Sequence, residues 1–319
     1  MADSDTLELR LQAIRWEADG ILSMELAAPD ARVLPTWEVG AHVDLHLPNG
    51  IVRSYSLVNQ PSDNRRYVVA VALDRQSRGG SRFVHQSLRP GQMIKVGLPR
   101  NHFPLVRDGG EVVLIAGGIG VTPLYAMATA LELAGRPYRF IYATRSRAHA
   151  AFTDTIGNFG DKASFHFDDE HGGKPLDIAG VVASAGPGAH FYCCGPGGML
   201  TAFEQATAHL APEHVHIERF TAKPVDESAP AAGFKVILAR SGKELTVPAD
   251  KSILDVLIDH DIQVPYSCQD GICGSCETKV LAGQPDHRDS VLTAAEQAAS
   301  KTMMVCISRC KGDSLTLDL

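Results

Sequence analysis

Hydrophobic and polar residues alternate in short runs over the first third of the chain. Residues 41–47 and 67–73 each alternate with a period of two, which is typical of half-buried antiparallel strands. Clusters of proline, glycine, asparagine and aspartate, such as residues 48–50 and 61–64, separate these runs. Several short strands at this spacing predict a closed or nearly closed antiparallel β-barrel over residues 1–105.

The pattern changes near residue 106, where continuous apolar runs replace the alternation. Residues 111–116, 138–143 and 190–194 are each short and apolar, as expected of parallel strands that are buried on both faces. A glycine turn and a helical pattern over residues 123–134 follow the first of these runs. This order of strand, turn and helix predicts a doubly wound α/β domain over residues 106–225.

A third segment follows a stretch with the composition of a linker. Residues 221–233 combine proline, alanine, serine and acidic residues without any periodicity. Beyond them, an apolar run at 234–239 and a helical pattern over 252–260 precede a cluster of cysteines. We therefore predict a third domain over residues 226–319, with the linker at its start.

Composition excludes several classes of protein. The 319 residues are 45% hydrophobic and 21% charged, which is typical of globular domains, and a net charge of −7 argues against nucleic-acid binding. The longest apolar stretch, residues 112–121, is much shorter than the ~20 residues of a membrane span. The acidic N-terminus lacks the apolar region of a secretory signal, so we expect a cytoplasmic protein.

Five of the seven cysteines follow residue 267, and four of them have the plant-type spacing for a 2Fe-2S cluster. These four are Cys268, Cys273, Cys276 and Cys306. Gly271 and Gly274 lie between them and can adopt positive φ, which would let backbone amides face the sulfurs. Zinc and unligated core cysteines are the alternatives, but structural zinc sites usually present two closely spaced pairs. Cys310 also stands at a plausible distance for the fourth ligand.

Other segments suit a cofactor that carries phosphate and an aromatic ring. Arg53, Tyr55 and Ser56 place a cation, an aromatic plane and a hydroxyl on one short run. Gly79 and Gly80, and the turn at residues 117–120, would allow backbone amides to approach a phosphate. Each could be an ordinary turn, and the cysteine pair at 193–194 could be structural. Their order along the chain favours a binding role.

These motifs together resemble the phthalate dioxygenase reductase family, which includes the reductase components of vanillate O-demethylase and similar Rieske oxygenase systems. The motifs are RSYSL from Arg53, RGGS from Arg78, LPRNHFPL from Leu98, AGGIGVTP from Ala116, CGP from Cys194 and the cysteine set. The likeness covers essentially the whole chain. It implies an FMN-binding antiparallel Greek-key β-barrel, a nicotinamide-binding α/β domain with a doubly wound parallel sheet, and an α+β β-grasp ferredoxin domain.

The resemblance also implies three sets of site residues. Flavin contacts are expected from Arg53, Ser54, Tyr55, Ser56, Ala70, Val71, Ala72, Gly79, Gly80, Ser81, Thr122 and Phe220. The dinucleotide is expected at Gly117, Gly118, Thr144, Arg145, Cys194, Gly195 and Pro196. For the metal cluster, the family pattern favours Cys306 over Cys310 as the fourth ligand. Ser56, at the flavin N5 edge, and Cys194, beside the nicotinamide, are the expected catalytic residues.

The function implied by the resemblance is electron transfer. NADH would pass hydride to FMN, and single electrons would then reach a separate Rieske-type terminal oxygenase through the 2Fe-2S cluster. A non-enzymatic redox sensor and a reductase of small acceptors remain alternatives, although a sensor would not need an intact nicotinamide site. Asp168 and Asp169 could repel the 2′-phosphate of NADPH, whereas Arg145 and Arg147 could attract it; the resemblance favours NADH. We expect a monomer without nucleic-acid or membrane partners.

Overall fold

The computed structural model describes residues 6–75, 77–221 and 233–319. The chain divides into two compact units, Met1–Phe220 and Thr221–Leu319. The predicted linker at residues 221–233 lies almost wholly outside the described residues. Within those described ranges, no helix is both long enough and apolar enough to cross a membrane.

The first sheet of the larger unit is antiparallel and has six strands. They are β1 (Thr6–Ala18), β2 (Ile21–Ala27), β3 (His42–His46), β4 (Val52–Ser56), β5 (Arg66–Ala72) and β6 (Met93–Gly97), with helix α1 (Gly80–Ser87) between β5 and β6. The hydrogen-bonded order is β4-β3-β6-β1-β2-β5. The two end strands meet just beyond β4, where Leu57 bridges Val69 and the Val58 amide donates to the Val68 carbonyl at 2.8 Å. This contact nearly closes the predicted barrel around a core of leucine and valine side chains.

The second sheet of this unit is parallel and has five strands in the order β11-β10-β7-β8-β9. Its elements are β7 (Val112–Gly117), α2 (Val121–Leu133), β8 (Tyr138–Thr144), α3 (Thr153–Gly157), β9 (Ala163–Phe167), α4 (Ile178–Ala183), β10 (His190–Cys194), α5 (Gly197–Thr207) and β11 (Val215–Glu218). Every residue of β7 is buried, because its side chains point alternately into the cores on the two faces of the sheet. The strand order reverses between β7 and β10, and open α/β sheets bind ligands at such a switch point.

The predicted helix of this domain begins earlier than expected. We predict its start at Pro123, but α2 begins at Val121, directly after a single 3-10 turn over Gly118–Gly120. Pro123 therefore lies within the first turn of the helix, where the amide that proline lacks would have no helical partner in any case. The glycine turn and the helix are continuous, so the helix N-terminus lies at the edge of the switch point.

The smaller unit combines a mixed five-stranded sheet with short helices. Its elements are β12 (Phe234–Leu238), β13 (Glu244–Val247), α6 (Ile253–Asp259), β14 (Glu277–Ala282), β15 (Pro285–Asp286), α7 (Ala294–Ala299), β16 (Thr302–Met304), β17 (Arg309–Cys310) and β18 (Ser314–Leu317). The sheet order is β13-β12-β18-β14-β16, with β12 and β18 parallel, while β15 and β17 form a separate two-stranded ribbon. Ser252 and Asp255 form a capping box at the start of α6, which explains why this helix begins where the sequence predicts.

Candidate functional site

The four cysteines with the plant-type spacing converge in the smaller unit. Cys268 lies close enough to Cys273 and to Cys306 for their thiols to interact, and Cys306 lies as close to Cys276. All four are buried, with exposures between 3% and 7%. The quartet offers four soft sulfur donors, the donor set that a 2Fe-2S cluster requires.

Backbone amides surround these sulfurs. The Asp270 amide donates to Cys268 Sγ at 3.3 Å, and the Ile272 and Gly271 amides are directed at Cys268 and Cys306. This arrangement depends on backbone in the left-handed region, with φ of +67° at Gly271 and +74° at Gly274. Amides that face sulfur stabilise thiolate charge, so the loop fits a bound cluster.

Cys310 lies outside the quartet, on strand β17. Its Sγ accepts a hydrogen bond from the Gly312 amide at 3.3 Å and donates to the Ser314 carbonyl at 3.4 Å. The thiol is therefore engaged by the turn that follows β17, and Cys306 is the cysteine that lies with the other three.

In the larger unit, Arg53 lies against the N-terminus of helix α1. A Cβ atom built on Gly80 would stand 2.9 Å from Arg53 Cγ, so only glycine allows this approach. Gly79 precedes the helix at φ +101°, without a side-chain cap. The hydroxyl of Ser81 meanwhile donates to Ser77 Oγ at 3.0 Å. Ser77 Oγ accepts hydrogen bonds from the amides of Gly79 at 3.2 Å and Arg82 at 3.3 Å. The amides of Gly80 and Ser81, beside the Arg53 side chain, are the donors that suit a phosphate group.

The hydroxyl of Ser54 has a partner within the barrel rather than an open site. It donates to Asp44 at 2.6 Å, and Arg100 forms an ion pair with the same carboxylate at 2.8 Å. Burial alone would raise the pKa of Asp44, but Arg100 and Ser54 outweigh it and hold the pKa below its ordinary value. Ser54 therefore has a structural bond. The adjacent Tyr55 is half-buried against the barrel core.

Ser56 lies beside Glu218, which is the strand partner of Cys194 in the parallel sheet. Cys194 and Glu218 are directly paired at the ends of β10 and β11. The Ser56 hydroxyl is near enough to lower the pKa of Glu218, yet neither Ser56 Oγ nor Glu218 Oε2 completes a hydrogen bond among the described residues. A buried hydroxyl without a hydrogen-bond partner in the protein is suited to bond a cofactor atom.

Burial raises the pKa of both acidic groups, Glu218 and Cys194. It raises the pKa of Glu218 to about 8, although Ser56 opposes the shift. Burial, with Glu218 and Cys193 nearby, raises the pKa of the Cys194 thiol well above its ordinary value. We did not predict Glu218 from the sequence. It is the last residue of a short strand, and its place beside Cys194 follows only from the pairing of β11 with β10.

Strand β5 directs backbone groups toward the opening between β4 and β5. Val68 donates to Asn59 Oδ1 at 2.9 Å and accepts from the Val58 amide, so its peptide groups face away from β2. Because alternate residues of a strand share a direction, Ala70 and Ala72 present their peptide groups to the same side. The carbonyl of Val71 instead receives a hydrogen bond from His85 Nε2 at 2.9 Å.

The glycine turn has two distinct roles. A Cβ atom on Gly120 would lie 2.2 Å from the Cys194 carbonyl oxygen, and one on Gly117 would lie 2.6 Å from Met199 Sδ. These two glycines allow β7, β10 and α2 to pack closely. Gly118, at φ +53°, has open space where a Cβ would stand, so it is the glycine of this turn that can face a ligand.

A cleft of 1130 Å³ opens at this switch point. The predicted dinucleotide residues that line it are Gly117, Gly118, Thr144, Arg145 and Pro196. Asp168 also lines the cleft, while Arg147 is paired with Glu170 at 3.1 Å and stacks over the Phe167 ring. One of the two arginines that could attract a 2′-phosphate is therefore already engaged.

Two further residues of the predicted flavin set differ in exposure. The Thr122 side chain is buried and donates to the Ile119 carbonyl at 3.0 Å, at the start of α2. Phe220 is 38% exposed, which is inconsistent with a core position. Arg219, which precedes Phe220, forms an ion pair with Glu204 of α5 at 2.7 Å.

Comparisons with known proteins match the whole chain. A family model described as a 2Fe-2S iron-sulfur cluster binding domain matches residues 236–311. Phenoxybenzoate dioxygenase subunit beta of Ectopseudomonas oleovorans is 49% identical over 98% of this chain and 97% of its own. Tetrachlorobenzoquinone reductase of Sphingobium chlorophenolicum is 43% identical over 98% of both chains. A solved phthalate dioxygenase reductase, titled a modular structure for electron transfer from pyridine nucleotides to 2Fe-2S, is 38% identical over 99% of both chains, with a TM-score of 0.75.

These matches confirm the predicted class of protein, an oxidoreductase that transfers electrons by means of a flavin, a pyridine nucleotide and a 2Fe-2S cluster. They favour it over a non-enzymatic redox sensor, and they confirm the predicted combination of a barrel, an α/β domain and a ferredoxin domain. Because full-length relatives reach this degree of identity, the chain belongs to the phthalate dioxygenase reductase family.

Proposed function

We propose that this protein is the NADH-dependent reductase component of a Rieske-type oxygenase system, with FMN as its flavin. When bound, the flavin would accept two electrons together from NADH and pass them one at a time to the cluster. It would therefore connect a two-electron donor with one-electron acceptors. The observation that carries the proposal is that one chain holds both the cysteine quartet and a dinucleotide-sized cleft at the end of β10. We assign FMN binding to residues 1–105, nicotinamide binding to 106–225 and the cluster to 226–319.

We assign the four cluster ligands to Cys268, Cys273, Cys276 and Cys306. Their proximity and the amides that face their sulfurs support this assignment. The thiolates would hold the irons, and the amides would stabilise the negative charge that accompanies reduction.

In the flavin site, Arg53 and the amides at the N-terminus of α1 would hold the phosphate of FMN. One phosphate fits the combination of one guanidinium and the amides of Gly80 and Ser81. Tyr55 would cover the ring, Ala70 and Ala72 would offer backbone groups to it, and Phe220 would close the pocket. Arg53, the phosphate-binding turn and these contacts lie within the larger unit.

We propose that Ser56, Cys194 and Glu218 align the hydride donor. Ser56 would hydrogen-bond the N5 edge of the flavin with a hydroxyl that has unused bonding capacity. Cys194 would contact the nicotinamide as a neutral thiol, and Glu218 would stay uncharged beside both. Their contribution is geometric, because a displacement of about 1 Å in the reacting groups can cost roughly 100-fold in rate.

NADH is the proposed donor rather than NADPH. Asp168 lines the cleft, and its charge opposes a 2′-phosphate. Arg147 is engaged by Glu170 and Phe167, which leaves Arg145 as the cation of this pair that lines the cleft.

The proposed electron acceptor is a separate oxygenase, as the name of the relative from Ectopseudomonas oleovorans supports. We further propose that the acceptor is of the Rieske type, and that the reductase works as a cytoplasmic monomer. A small quinone is the second candidate acceptor, because the relative from Sphingobium chlorophenolicum is named for one.

The test compares the two acceptors in the purified holoprotein. With NADH as donor, we expect rapid reduction of an isolated Rieske oxygenase component, followed by the spectrum of its cluster, and slower turnover with tetrachlorobenzoquinone. A Cys306→Ser variant should lose oxygenase reduction but keep quinone reduction from the flavin. Quinone turnover that exceeds oxygenase reduction would reverse the order of the two candidates.

A further inference from the structure

A buried carboxylate lies behind the cysteine loop, in a segment that the electron-transfer function does not use. The side chain of Asp289 has no exposed surface. Its Oδ2 accepts hydrogen bonds from the amides of Val291 (3.2 Å) and Leu292 (2.8 Å), and its Oδ1 accepts one from the Ser308 hydroxyl (3.4 Å). These three neutral donors stabilise a carboxylate that is buried away from solvent.

This carboxylate is connected to both arms of the cysteine loop. On one side, a Cβ atom on Gly271 would lie 3.1 Å from Asp289 Cα, and the Ser290 amide donates to the Gly271 carbonyl at 2.9 Å. Gly271 in turn directs its amide at Cys306. On the other side, Ser308 follows Cys306 by two residues and is wholly buried. Asp289 thus joins the arm between Cys268 and Cys273 to the arm that carries Cys306.

Among the described residues, no arginine or lysine forms an ion pair with Asp289, and His287 does so only if it is protonated. Arg288 donates to Asp286 at 2.8 Å, and Arg309 donates to the carbonyls of Lys251 and Pro248 at 2.8 and 3.0 Å. His287 is buried, with Nδ1 3.7 Å from Asp289 Oδ1, and neither ring nitrogen has a hydrogen bond among the described residues. The negative charge of Asp289 is therefore held by dipoles, without a guanidinium to cancel it.

Burial of an uncancelled charge costs stability, and a hydrogen-bonded amide or apolar side chain would avoid that cost. The charge has a second effect, because a nearby fixed negative charge opposes the addition of an electron to an iron–sulfur centre. A low surrounding dielectric increases this effect. Asp289 packs against Gly271, and the amide of Gly271 faces the sulfur of Cys306. One residue of the cysteine loop therefore lies between Asp289 and that sulfur.

We propose that Asp289 is a positioning residue that also keeps the reduction potential of the cluster low. Its hydrogen bonds hold the two arms of the loop together, and its charge favours departure of the electron toward the acceptor. This inference rests on the proposed binding of a 2Fe-2S cluster by the quartet.

The test is a redox titration of full-length holoprotein, followed by the electron paramagnetic resonance signal of the reduced cluster. Asp289→Asn keeps the shape of the side chain and removes its charge. We expect the equilibrium constant for cluster reduction to rise at least tenfold, which is 59 mV for a one-electron couple. Asp286→Asn is the matched control, because it removes the same charge three residues away, from a side chain paired with Arg288. Its equilibrium constant for cluster reduction should change less than threefold.

An unchanged potential in Asp289→Asn with a full cluster would overturn the proposal, as would an equal shift in the control. If the Asp289→Asn protein fails to retain its cluster, Ser308→Ala tests the effect of Asp289 on the reduction potential instead. It preserves the charge but removes one donor from the carboxylate, so the potential should fall and the resonance signal should change; no change in either overturns the proposal. A wild-type protein without a 2Fe-2S signal would instead contradict the proposed function itself.

Discussion

Replacement of Gly120 by alanine tests whether close packing of the glycine turn positions the hydride donor. Gly120 precedes α2 at φ −61°, so alanine meets no backbone strain there. The added Cβ would, however, stand 2.2 Å from the carbonyl oxygen and 2.4 Å from the carbonyl carbon of Cys194. Ordinary contacts begin at 3.4 Å, so α2 and the end of β10 have to separate by about 1 Å.

The size of the effect follows from that displacement. Overpacking of a tight core contact costs about 1–3 kcal/mol of stability. The larger effect is kinetic, because Cys194 and Pro196 move with the end of β10. A displacement of about 1 Å in groups that align reactants can cost roughly 100-fold in rate. We therefore expect flavin reduction by NADH to slow by roughly two orders of magnitude, while the cluster still forms.

The assay is anaerobic rapid mixing with NADH, followed at the flavin absorbance band. Gly197→Ala is the matched control, because it makes the same chemical change at the start of α5, where a Cβ meets nothing within 4 Å. The control should reduce its flavin at the wild-type rate. A Gly120→Ala protein that matches the control would refute the argument that this contact positions the nicotinamide.

Three further predictions concern the buried groups. The pKa of Glu218 is about 8 in the folded protein, against 4.5 ordinarily, so its contribution to stability is lost as pH rises from 4.5 through 8. Glu218→Gln should weaken the fall of the unfolding temperature with pH over this range. Wild-type and variant proteins whose unfolding temperatures fall in parallel would contradict this. Burial, with His190 and His214 nearby, lowers the pKa of His216 to about 4, so its contribution is lost as pH falls from 6.5 through 4. His216→Gln should flatten that acid limb of the unfolding temperature, and an unchanged slope would exclude the histidine as its cause. Cys310→Ser should leave the visible cluster spectrum intact, because the Cys310 thiol is hydrogen-bonded within the turn that follows it. Loss of the cluster spectrum in this variant would identify Cys310 as a ligand.

The sequence predicted the buried strands of the α/β domain well, because parallel strands require continuous apolar runs. The predicted strand at 190–194 coincides with β10. The run at 111–116 differs from β7 by one residue at each end, and the run at 138–143 is one residue shorter than β8. The start of α2 was wrong by two residues, because the 3-10 turn before it leads directly into the helix.

Roles that depend on packing between distant segments could not be predicted. The residues of the glycine turn look alike in sequence, yet Gly120 packs against Cys194 while Gly118 faces open space. Glu218 ends a short strand whose composition does not indicate burial, and its raised pKa arises from burial in the folded protein, opposed by Ser56 of the barrel. The bond between Ser54 and Asp44 likewise depends on the pairing of β3 with β4.

The most direct test of the central claim is an anaerobic titration of the purified protein with NADH, followed by identification of the released flavin. We predict that the flavin and cluster bands bleach together, with two electrons taken up per flavin and one per cluster, and that the flavin is FMN. If NADH leaves both chromophores oxidised while dithionite reduces them, the nicotinamide cleft does not deliver electrons, and the account of an NADH-dependent reductase is contradicted.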